Sequence, residues 1–299
     1  MTTANDSKLS GGVYTLLSTP FNEDGSLFDP RSMSREIDYI LEGGVDGLVA
    51  CGKAGEFEGM NLNEIEQVLD HVLEHVNGRV PVGMGIISLD LDDAMKAAKI
   101  ASRKGASFAM VKKCSYKDLH SFFLKIADEI PVMLYDMTNE GKLNMRRDVL
   151  PIVNDCDRIA ALKVSGDIGS FEVLKHEELS IPALCGSDMY SLITYLCGSD
   201  GVIAGSAAVM PDHEVILYKL VKAKKWDEAR EHFYNKMLPL ITFITPDPYA
   251  FSVAKHLLKW KGIIDHATTR PPYPKADDWH LEEVKKLAIK MKIIDELKI

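Results

Sequence analysis

The chain has 299 residues, 46% of them hydrophobic, which is enough to bury a large core in one barrel-sized domain or in two ordinary domains. Its 44 acidic against 35 basic residues give a formal net charge of -9, and this surplus argues against nucleic acids and anionic membranes as partners. We expect a soluble, cytoplasmic protein for three reasons. The five cysteines are scattered without a CxxC pair, no apolar run is as long as the roughly 18 residues of a membrane span, and the N-terminus is polar.

Eight apolar runs rich in Val, Ile and Leu are each short enough to form a β-strand. In chain order they are Val13–Ser18, Val45–Cys51, Val82–Ile86, Phe108–Val111, Val132–Tyr135, Ile159–Val164, Ala183–Cys185 and Gly201–Ala204. Between them lie segments with the apolar spacing of amphipathic helices, including Leu62–Val76, Leu91–Ser102, Asp118–Ala127, Met189–Leu196 and Glu214–Ala223. Continuous apolar strands that alternate with helices predict parallel strands covered on both faces, and eight such units predict a closed (β/α)8 TIM barrel over residues 1–224.

After residue 224 the pattern is helical only. Helical spacing covers Asp227–Ile244, Ala250–Gly262 and Leu281–Leu297, and prolines separate these segments. No linker or low-complexity tract divides the chain. Residues 225–299 are therefore predicted to form a helical C-terminal extension that packs on the barrel, so that both parts make one structural unit.

Two side chains at the ends of neighbouring strands suggest covalent chemistry. In barrels of this kind the active site lies at the carboxyl ends of the strands, where the sixth run brings Lys163 and the fifth ends in Tyr135. Burial disfavours the charged form of an amine, and a neutral amine attacks a carbonyl carbon to form an imine. A tyrosine one strand away can then shuttle a proton beside that imine. We therefore predict Lys163 as the covalent nucleophile and Tyr135 as the general acid and base.

The turn after the second strand offers a place for an anion. Gly52–Gly55 carries little side-chain cover, so its backbone N–H groups can cradle a carboxylate. Lys53 within this turn either acts at the site, for example by pairing with a substrate anion, or extends into solvent. The same two alternatives, a role at the site or a side chain in solvent, apply to Lys112 and Lys113. Successive side chains of a strand point to opposite faces, so at most one of the two faces the site.

No metal site is predicted. The five cysteines are separated along the sequence, and the pair His71 and His75, spaced as neighbours on one helix face, lacks a third ligand in the pattern. Histidines on a charged helix are commonplace, so we interpret this pair as part of the protein surface.

Taken together, these motifs resemble the dihydrodipicolinate synthase and N-acetylneuraminate lyase family of class I pyruvate aldolases. The likeness spans almost the whole chain, and no single motif carries it. The motifs are Thr19-Pro-Phe21, Gly52-x-x-Gly-Glu56, Tyr135, Leu162-Lys163, Gly186-Ser-Asp188 and Gly201-Val-Ile203. The resemblance implies a homotetramer, arranged as a dimer of dimers, that needs no metal or organic cofactor.

The resemblance also implies roles for single residues. Lys163 would form the imine with pyruvate or another 2-oxo acid, with Tyr135 as the general acid and base. The backbone amides of Lys53 and Ala54 would hold the substrate carboxylate. The residues expected to bind substrate are Gly52, Lys53, Ala54, Gly55, Thr19, Ile203 and Gly186.

Three departures from the family pattern concern the substrate. Lys53 and Ala54 stand where relatives usually carry two hydroxyl residues, so the usual hydroxyl relay to the tyrosine is missing. Residues 136–141 lack the arginine with which the synthase branch grips a second carboxylate, so a true dihydrodipicolinate synthase is not expected. Residues 111–116 replace the family's Thr-Pro-Tyr-Tyr pattern, which leaves Tyr116 as the candidate for a relay tyrosine that serves a neighbouring subunit.

The leading hypothesis is thus a lyase that cleaves or forms a carbon–carbon bond with pyruvate or a related 2-oxo acid as one partner. A dehydratase or hydratase of a 2-keto-3-deoxy sugar acid would use the same lysine imine, and the sequence does not separate the two. A third hypothesis of another class is a catalytically silent barrel that binds an anionic metabolite.

Overall fold

The computed structural model describes residues 8–87, 90–114, 116–137, 141–245 and 248–295. Its core is a closed barrel of eight parallel strands, each paired with the next, and the eighth with the first. Every strand residue is buried except Lys112 at the end of the fourth strand, because helices cover the outside and side chains fill the inside. The predicted (β/α)8 barrel is confirmed. The strands are β1 (Val13–Leu16), β2 (Gly47–Ala50), β3 (Val82–Ile86), β4 (Phe108–Lys112), β5 (Val132–Asp136), β6 (Ile159–Val164), β7 (Ala183–Cys185) and β8 (Gly201–Ala204).

A helix follows each strand. These helices are α1 (Pro30–Glu42), α2 (Leu62–Val76), α3 (Leu91–Lys104), α4 (Leu119–Glu129), α5 (Leu150–Asp155), α6 (Gly169–His176), α7 (Ser191–Leu196) and α8 (Pro211–Lys222). Local signals set several of their ends: Asp29 caps α1, Asn61 and Glu64 form a capping box at α2, and Gly105 ends α3 in the left-handed conformation. No helix in the described ranges is long and apolar enough to cross a bilayer.

The helices after α8 are α9 (Trp226–His232), α10 (Leu238–Ile244), α11 (Ala250–Trp260) and α12 (Asp278–Lys290). The predicted helical segment Asp227–Ile244 is helical throughout, as α9, a π-helical turn at Phe233–Met237 and α10. The π-helical turn ends two residues before Pro239, which lacks a backbone N–H and whose ring clashes with the preceding turn of a regular helix. The last predicted helix, Leu281–Leu297, is shifted: it begins earlier than expected, at Asp278, and ends earlier, at Lys290, while residues 296–297 of the predicted range lie outside the described residues.

Buried charges attach this helical extension to the barrel mouth. Lys255 of α11 is fully buried, forms an ion pair with the buried Glu56 carboxylate, and donates to the Thr268 carbonyl at 2.7 Å. The Arg270 backbone N–H donates to the same carboxylate at 2.7 Å. Because Glu56 ends the turn after β2, the extension holds one of the loops that surround the site.

Candidate active site

A cavity of about 260 Å³ lies at the carboxyl ends of the strands. Its wall combines side chains from the strand ends with an apolar surface from the helical extension. Five of the predicted site residues meet there: Lys163, Tyr135, Lys53, Ala54 and Gly186. The other lining residues are Leu16, Ser18, Met137, Ser165, Ser187, Asp188, Gly205, Ala208, Ile244, Thr245, Ala250, Phe251, Ala254 and Leu258.

Lys163 and Tyr135 are in contact across two neighbouring strands. The two residues are direct partners in the register of β5 and β6. The Lys163 side chain is 2% exposed, and its Nζ lies 4.2 Å from the centroid of the Tyr135 ring. Within the described part of the chain, no carboxylate forms an ion pair with Lys163. An amine that is shielded from water, faces a cavity and has no carboxylate partner is suited to attack a carbonyl carbon.

Gly186 fixes the stem of this lysine by close approach. A Cβ atom at Gly186 would lie 2.5 Å from Lys163 Cε and would also collide with Ser165 Oγ. Ser165 Oγ donates to the Gly186 carbonyl at 3.0 Å, and the Gly186 N–H donates to the Val164 carbonyl at 2.8 Å. The glycine therefore leaves the space that the lysine side chain occupies on its way to the cavity.

The turn after β2 is shaped by its own backbone. Its two flanking residues, Cys51 and Glu56, both adopt positive φ, at 53° and 57°. Within the turn, the Glu56 N–H donates to the Lys53 carbonyl at 3.1 Å, and Thr19 Oγ1 donates to the Gly55 carbonyl at 2.6 Å from behind. The turn thus presents Lys53 and Ala54 to the cavity on a braced backbone.

Several predicted residues lie behind the cavity wall. Gly52, Gly55 and Thr19 are buried in or beneath the turn after β2 and do not line the cavity. Ile203 is fully buried within β8. Tyr116 packs beside Phe122 of α4, with Lys125 Nζ 5.6 Å from its ring centroid, and contributes nothing to the cavity wall.

Three buried carboxyl groups near the mouth were not predicted. Ser18, which lines the cavity, donates its N–H and its hydroxyl to Glu36 at 2.8 and 2.6 Å. Burial raises the pKa of Glu36 to about 7. Burial also raises the pKa of Asp136, directly after Tyr135, to about 6.

The third buried carboxyl group belongs to Glu214, next to the cavity residue Asp188. Ser206 links the two, because its hydroxyl donates to Glu214 and its N–H donates to Asp188, both at 2.6 Å. Burial, reinforced by the nearby charge of Asp188, raises the pKa of Glu214 to about 8. Nothing in the sequence around Glu36 of α1 or Glu214 of α8 indicates that these acids are buried. Asp188, the neighbour of Glu214, belongs in contrast to the Gly186-Ser-Asp188 motif noted in the sequence.

The helical extension supplies the apolar side of the cavity. Ile244 of α10 and the α11 residues Ala250, Phe251, Ala254 and Leu258 face it. The sequence predicted that these helices pack on the barrel but gave no sign that they form part of the site. They cover the cavity into which the lysine side chain points, and Lys163 is 2% exposed.

A profile of the dihydrodipicolinate synthetase family matches residues 9–291 of the chain. The chain belongs to this family. The family assignment from sequence motifs is therefore confirmed. Within the family, the chain is 29% identical over 292 residues to the 4-hydroxy-tetrahydrodipicolinate synthase of Methanoculleus marisnigri, in an alignment that covers 93% of this chain and 98% of that protein.

Two solved structures share the fold of the chain. The E. coli prophage protein YagE, in complex with pyruvate, has a TM-score of 0.87 at 24% identity, covering 95% of this chain and 99% of that one. The N-acetylneuraminate lyase of Fusobacterium nucleatum, also with pyruvate, has a TM-score of 0.85 at 23% identity, covering 94% and 97%. From its match to the family profile and its 29% identity to the Methanoculleus synthase, the chain is a divergent member of a family of class I aldolase-type lyases.

The described ranges contain no group of three or more His, Cys, Asp or Glu side chains that could hold a metal ion. Of the two histidines singled out in the sequence, His71 is hydrogen-bonded to Ser34 at 3.0 Å and His75 contacts Asp38 at 2.9 Å. Both rings are therefore engaged with neighbouring side chains on the outer face of the barrel.

Proposed function

We propose that the protein is a Schiff-base-forming lyase that acts on pyruvate or a related 2-oxo acid and cleaves or forms a carbon–carbon bond. The observation that carries this proposal is the Lys163 amine, 2% exposed, in the wall of the mouth cavity and 4.2 Å from the Tyr135 ring centroid. The family membership and the pyruvate named for YagE and for the Fusobacterium lyase support the same chemistry.

The proposed mechanism assigns each step to a residue of this chain. The backbone amides of Lys53 and Ala54 hold the substrate carboxylate and thereby present its ketone to Lys163. The neutral amine attacks the ketone carbon, and water leaves as the protonated imine forms. The imine draws electrons from the adjacent bond, while Tyr135 accepts or donates the proton that bond cleavage or formation requires. Hydrolysis of the imine then releases product and regenerates the amine.

Reductive trapping tests the proposal. Incubation with pyruvate and cyanoborohydride is expected to add one pyruvate-derived mass to the protein, on the peptide that contains Lys163. Lys163→Met is expected to abolish the adduct, whereas Lys113→Met, which removes a half-buried lysine whose amine donates to the Lys142 carbonyl, is expected to retain it. A protein that gives no adduct, or an adduct on another lysine, contradicts the proposal and favours a silent, ligand-binding barrel.

The same imine serves a dehydratase or hydratase of a 2-keto-3-deoxy sugar acid. Product analysis separates the two outcomes, because a lyase releases pyruvate together with an aldehyde and a dehydratase releases water while keeping the carbon chain intact. Pyruvate release from a panel of 2-oxo acids supports the lyase, and substrate consumption without pyruvate contradicts it.

We further propose a cytoplasmic homotetramer that works without a metal or organic cofactor. Family resemblance supports this assembly, and so do apolar side chains left in solvent around α7: Tyr190, Ile193 and Leu196 are 46%, 48% and 64% exposed. Light scattering is expected to give the mass of four chains. A monomer at micromolar concentration would contradict the proposed assembly.

A further inference from the structure

A serine at the end of β1 lies in the cavity wall. Leu16 and Ser18 both line the mouth cavity, whereas Leu17 between them does not, in keeping with the alternation of side chains along a strand. The Leu17 N–H donates to the Val49 carbonyl at 3.0 Å, so the pairing of β1 with β2 continues to this point. The Ser18 side chain therefore leaves the end of the strand on the cavity side.

Ser18 also lies against the turn that is proposed to hold the substrate carboxylate. Before it in the chain, the Leu17 carbonyl oxygen packs so closely on Gly55 that a Cβ atom there would lie 3.1 Å away. After it, Thr19 Oγ1 donates to the Gly55 carbonyl at 2.6 Å. The turn and Ser18 line the same cavity. The Ser18 hydroxyl is thus placed to reach the same carboxylate as the backbone amides of the turn.

Behind Ser18, the carboxyl group of Glu36 is fully buried. One of its oxygens accepts the Ser18 backbone N–H at 2.8 Å, and the other lies 2.6 Å from Ser18 Oγ. The Lys255 ammonium of α11 acts on Glu36 electrostatically, but it forms its ion pair with Glu56 and is also influenced by Arg270. Burial raises the pKa of Glu36 to about 7, so its proton is exchangeable near neutral pH.

The proton on Glu36 decides what Ser18 can offer to the cavity. When Glu36 is ionised, the Ser18 hydroxyl donates to it, and the serine has no hydrogen left for a ligand. When Glu36 is protonated, it can donate to Ser18 Oγ, and the serine hydrogen is free to turn toward the cavity. The distance of 2.6 Å between the two oxygens suits a hydrogen bond in either direction. A substrate carboxylate can only accept hydrogen bonds and repels a second carboxylate, so it favours the protonated form of Glu36.

We infer that the Ser18 hydroxyl donates a third hydrogen bond to the substrate carboxylate, beside those of the two turn amides, when Glu36 carries a proton. Ser18 is then a substrate-binding residue, and Glu36 is a positioning residue that acts through it. Where Glu36 is ionised in the free protein, binding of a 2-oxo acid takes up one proton. This inference rests on the proposed function, because it assumes that the carboxylate lies at the turn while the ketone faces Lys163.

The test compares the wild type with Glu36→Gln through the pyruvate concentration that half-saturates cyanoborohydride trapping. Glutamine mimics the protonated acid, because its amide accepts from the Ser18 N–H and donates to Ser18 Oγ. The two proteins are expected to half-saturate alike at about pH 6. At about pH 8, one unit above the pKa of Glu36, the wild type is expected to need an about tenfold higher concentration than Glu36→Gln. The ratio of the two cancels the pH dependence of imine formation, which both proteins share.

Controls tie this ratio to the carboxylate and to Ser18. Pyruvamide has the ketone of pyruvate without its carboxylate, so the ratio for pyruvamide is expected to stay near one at both pH values. Glu214→Gln makes the same substitution in another buried acid bonded to a serine, and it is expected to follow the wild type. Ser18→Ala removes only the hydroxyl and is expected to raise the half-saturating pyruvate concentration about tenfold at about pH 6, whereas Ser18→Thr retains most of the affinity.

The outcomes separate this inference from the proposed function. A ratio of one for pyruvate at both pH values, an equal ratio for pyruvamide, or unchanged half-saturation in Ser18→Ala overturns the inference alone. If Glu36→Gln does not fold, the wild type decides: its half-saturating concentration for pyruvate, divided by that for pyruvamide, is expected to rise about tenfold between about pH 6 and about pH 8, and a constant quotient overturns the inference. A protein that traps no 2-oxo acid on Lys163 overturns the proposed function instead.

Discussion

A single methyl group at Gly186 is expected to disable the lysine without unfolding the barrel. The Cβ of Gly186→Ala would lie 2.5 Å from Lys163 Cε, whereas carbon atoms pack at about 3.5–4.0 Å, so the lysine stem must shift by about 1 Å. Displacement of a reacting group by about 1 Å lowers rates by about 100-fold. Overpacking of this kind costs about 1–3 kcal/mol of folding free energy, which a barrel of this size tolerates.

The assay is the rate of cyanoborohydride trapping by pyruvate, measured beside the thermal midpoint of unfolding. Gly186→Ala is expected to trap about 100-fold more slowly with only a modest fall in the midpoint. Gly169→Ala is the matched control: it adds the same methyl group to α6, which follows the lysine-bearing strand, and its nearest contact is 3.4 Å. Trapping by Gly186→Ala at the wild-type rate would refute the packing argument.

Three further predictions concern the proton carrier and the buried charges. Tyr135→Phe is expected to form the imine but to exchange the methyl protons of pyruvate about 10²–10⁴-fold more slowly in deuterated water, as followed by NMR. Because burial raises the pKa of Glu214 from its ordinary 4.5 to about 8, the folded protein keeps this proton to higher pH than the unfolded chain. The stability that this group contributes is present below about pH 4.5 and is lost as the pH rises through about 8. Between these pH values the free energy of unfolding, measured with urea, is therefore expected to fall by a few kcal/mol less in Glu214→Gln than in the wild type. Lys255→Met leaves the Glu56 carboxylate buried without its cation and is expected to lower the free energy of unfolding by about 3–5 kcal/mol.

Each of these predictions has its own contradicting result. Proton exchange by Tyr135→Phe at the wild-type rate would remove the tyrosine from the mechanism. Parallel pH profiles for Glu214→Gln and the wild type would show that this carboxyl group is not held neutral by the fold. For the ion pair, the double variant with Lys255→Met and Glu56→Gln is expected to recover part of the lost stability, and a double variant as unstable as the single one would contradict the pairing.

The strand ends could be predicted because their signals are local. The sixth apolar run, Ile159–Val164, is the sixth strand as found, and the fifth differs by one residue. Once the runs are assigned to neighbouring parallel strands of a barrel, their carboxyl ends must converge, which brings Lys163 beside Tyr135 without any knowledge of loops. The π-helical turn before α10 was also within reach of the sequence, since Pro239 stands in the middle of the expected helix.

The remaining features depend on contacts between distant segments. Glu36 and Glu214 lie on helices that carry other charged residues, so the neighbouring sequence does not distinguish a buried acid from an exposed one. Phe251 reaches the cavity because α11 packs across the mouth, an arrangement that periodicity does not encode. Tyr116 follows a β4 end that departs from the family pattern, and tertiary packing places it against α4.

The most direct test of the lysine mechanism is a crystal structure of the protein soaked with pyruvate. We expect continuous electron density between Lys163 Nζ and the ketone carbon of pyruvate, with the carboxylate at the backbone amides of Lys53 and Ala54. Pyruvate bound elsewhere, or bound in the mouth cavity without a covalent link to that nitrogen, would contradict it.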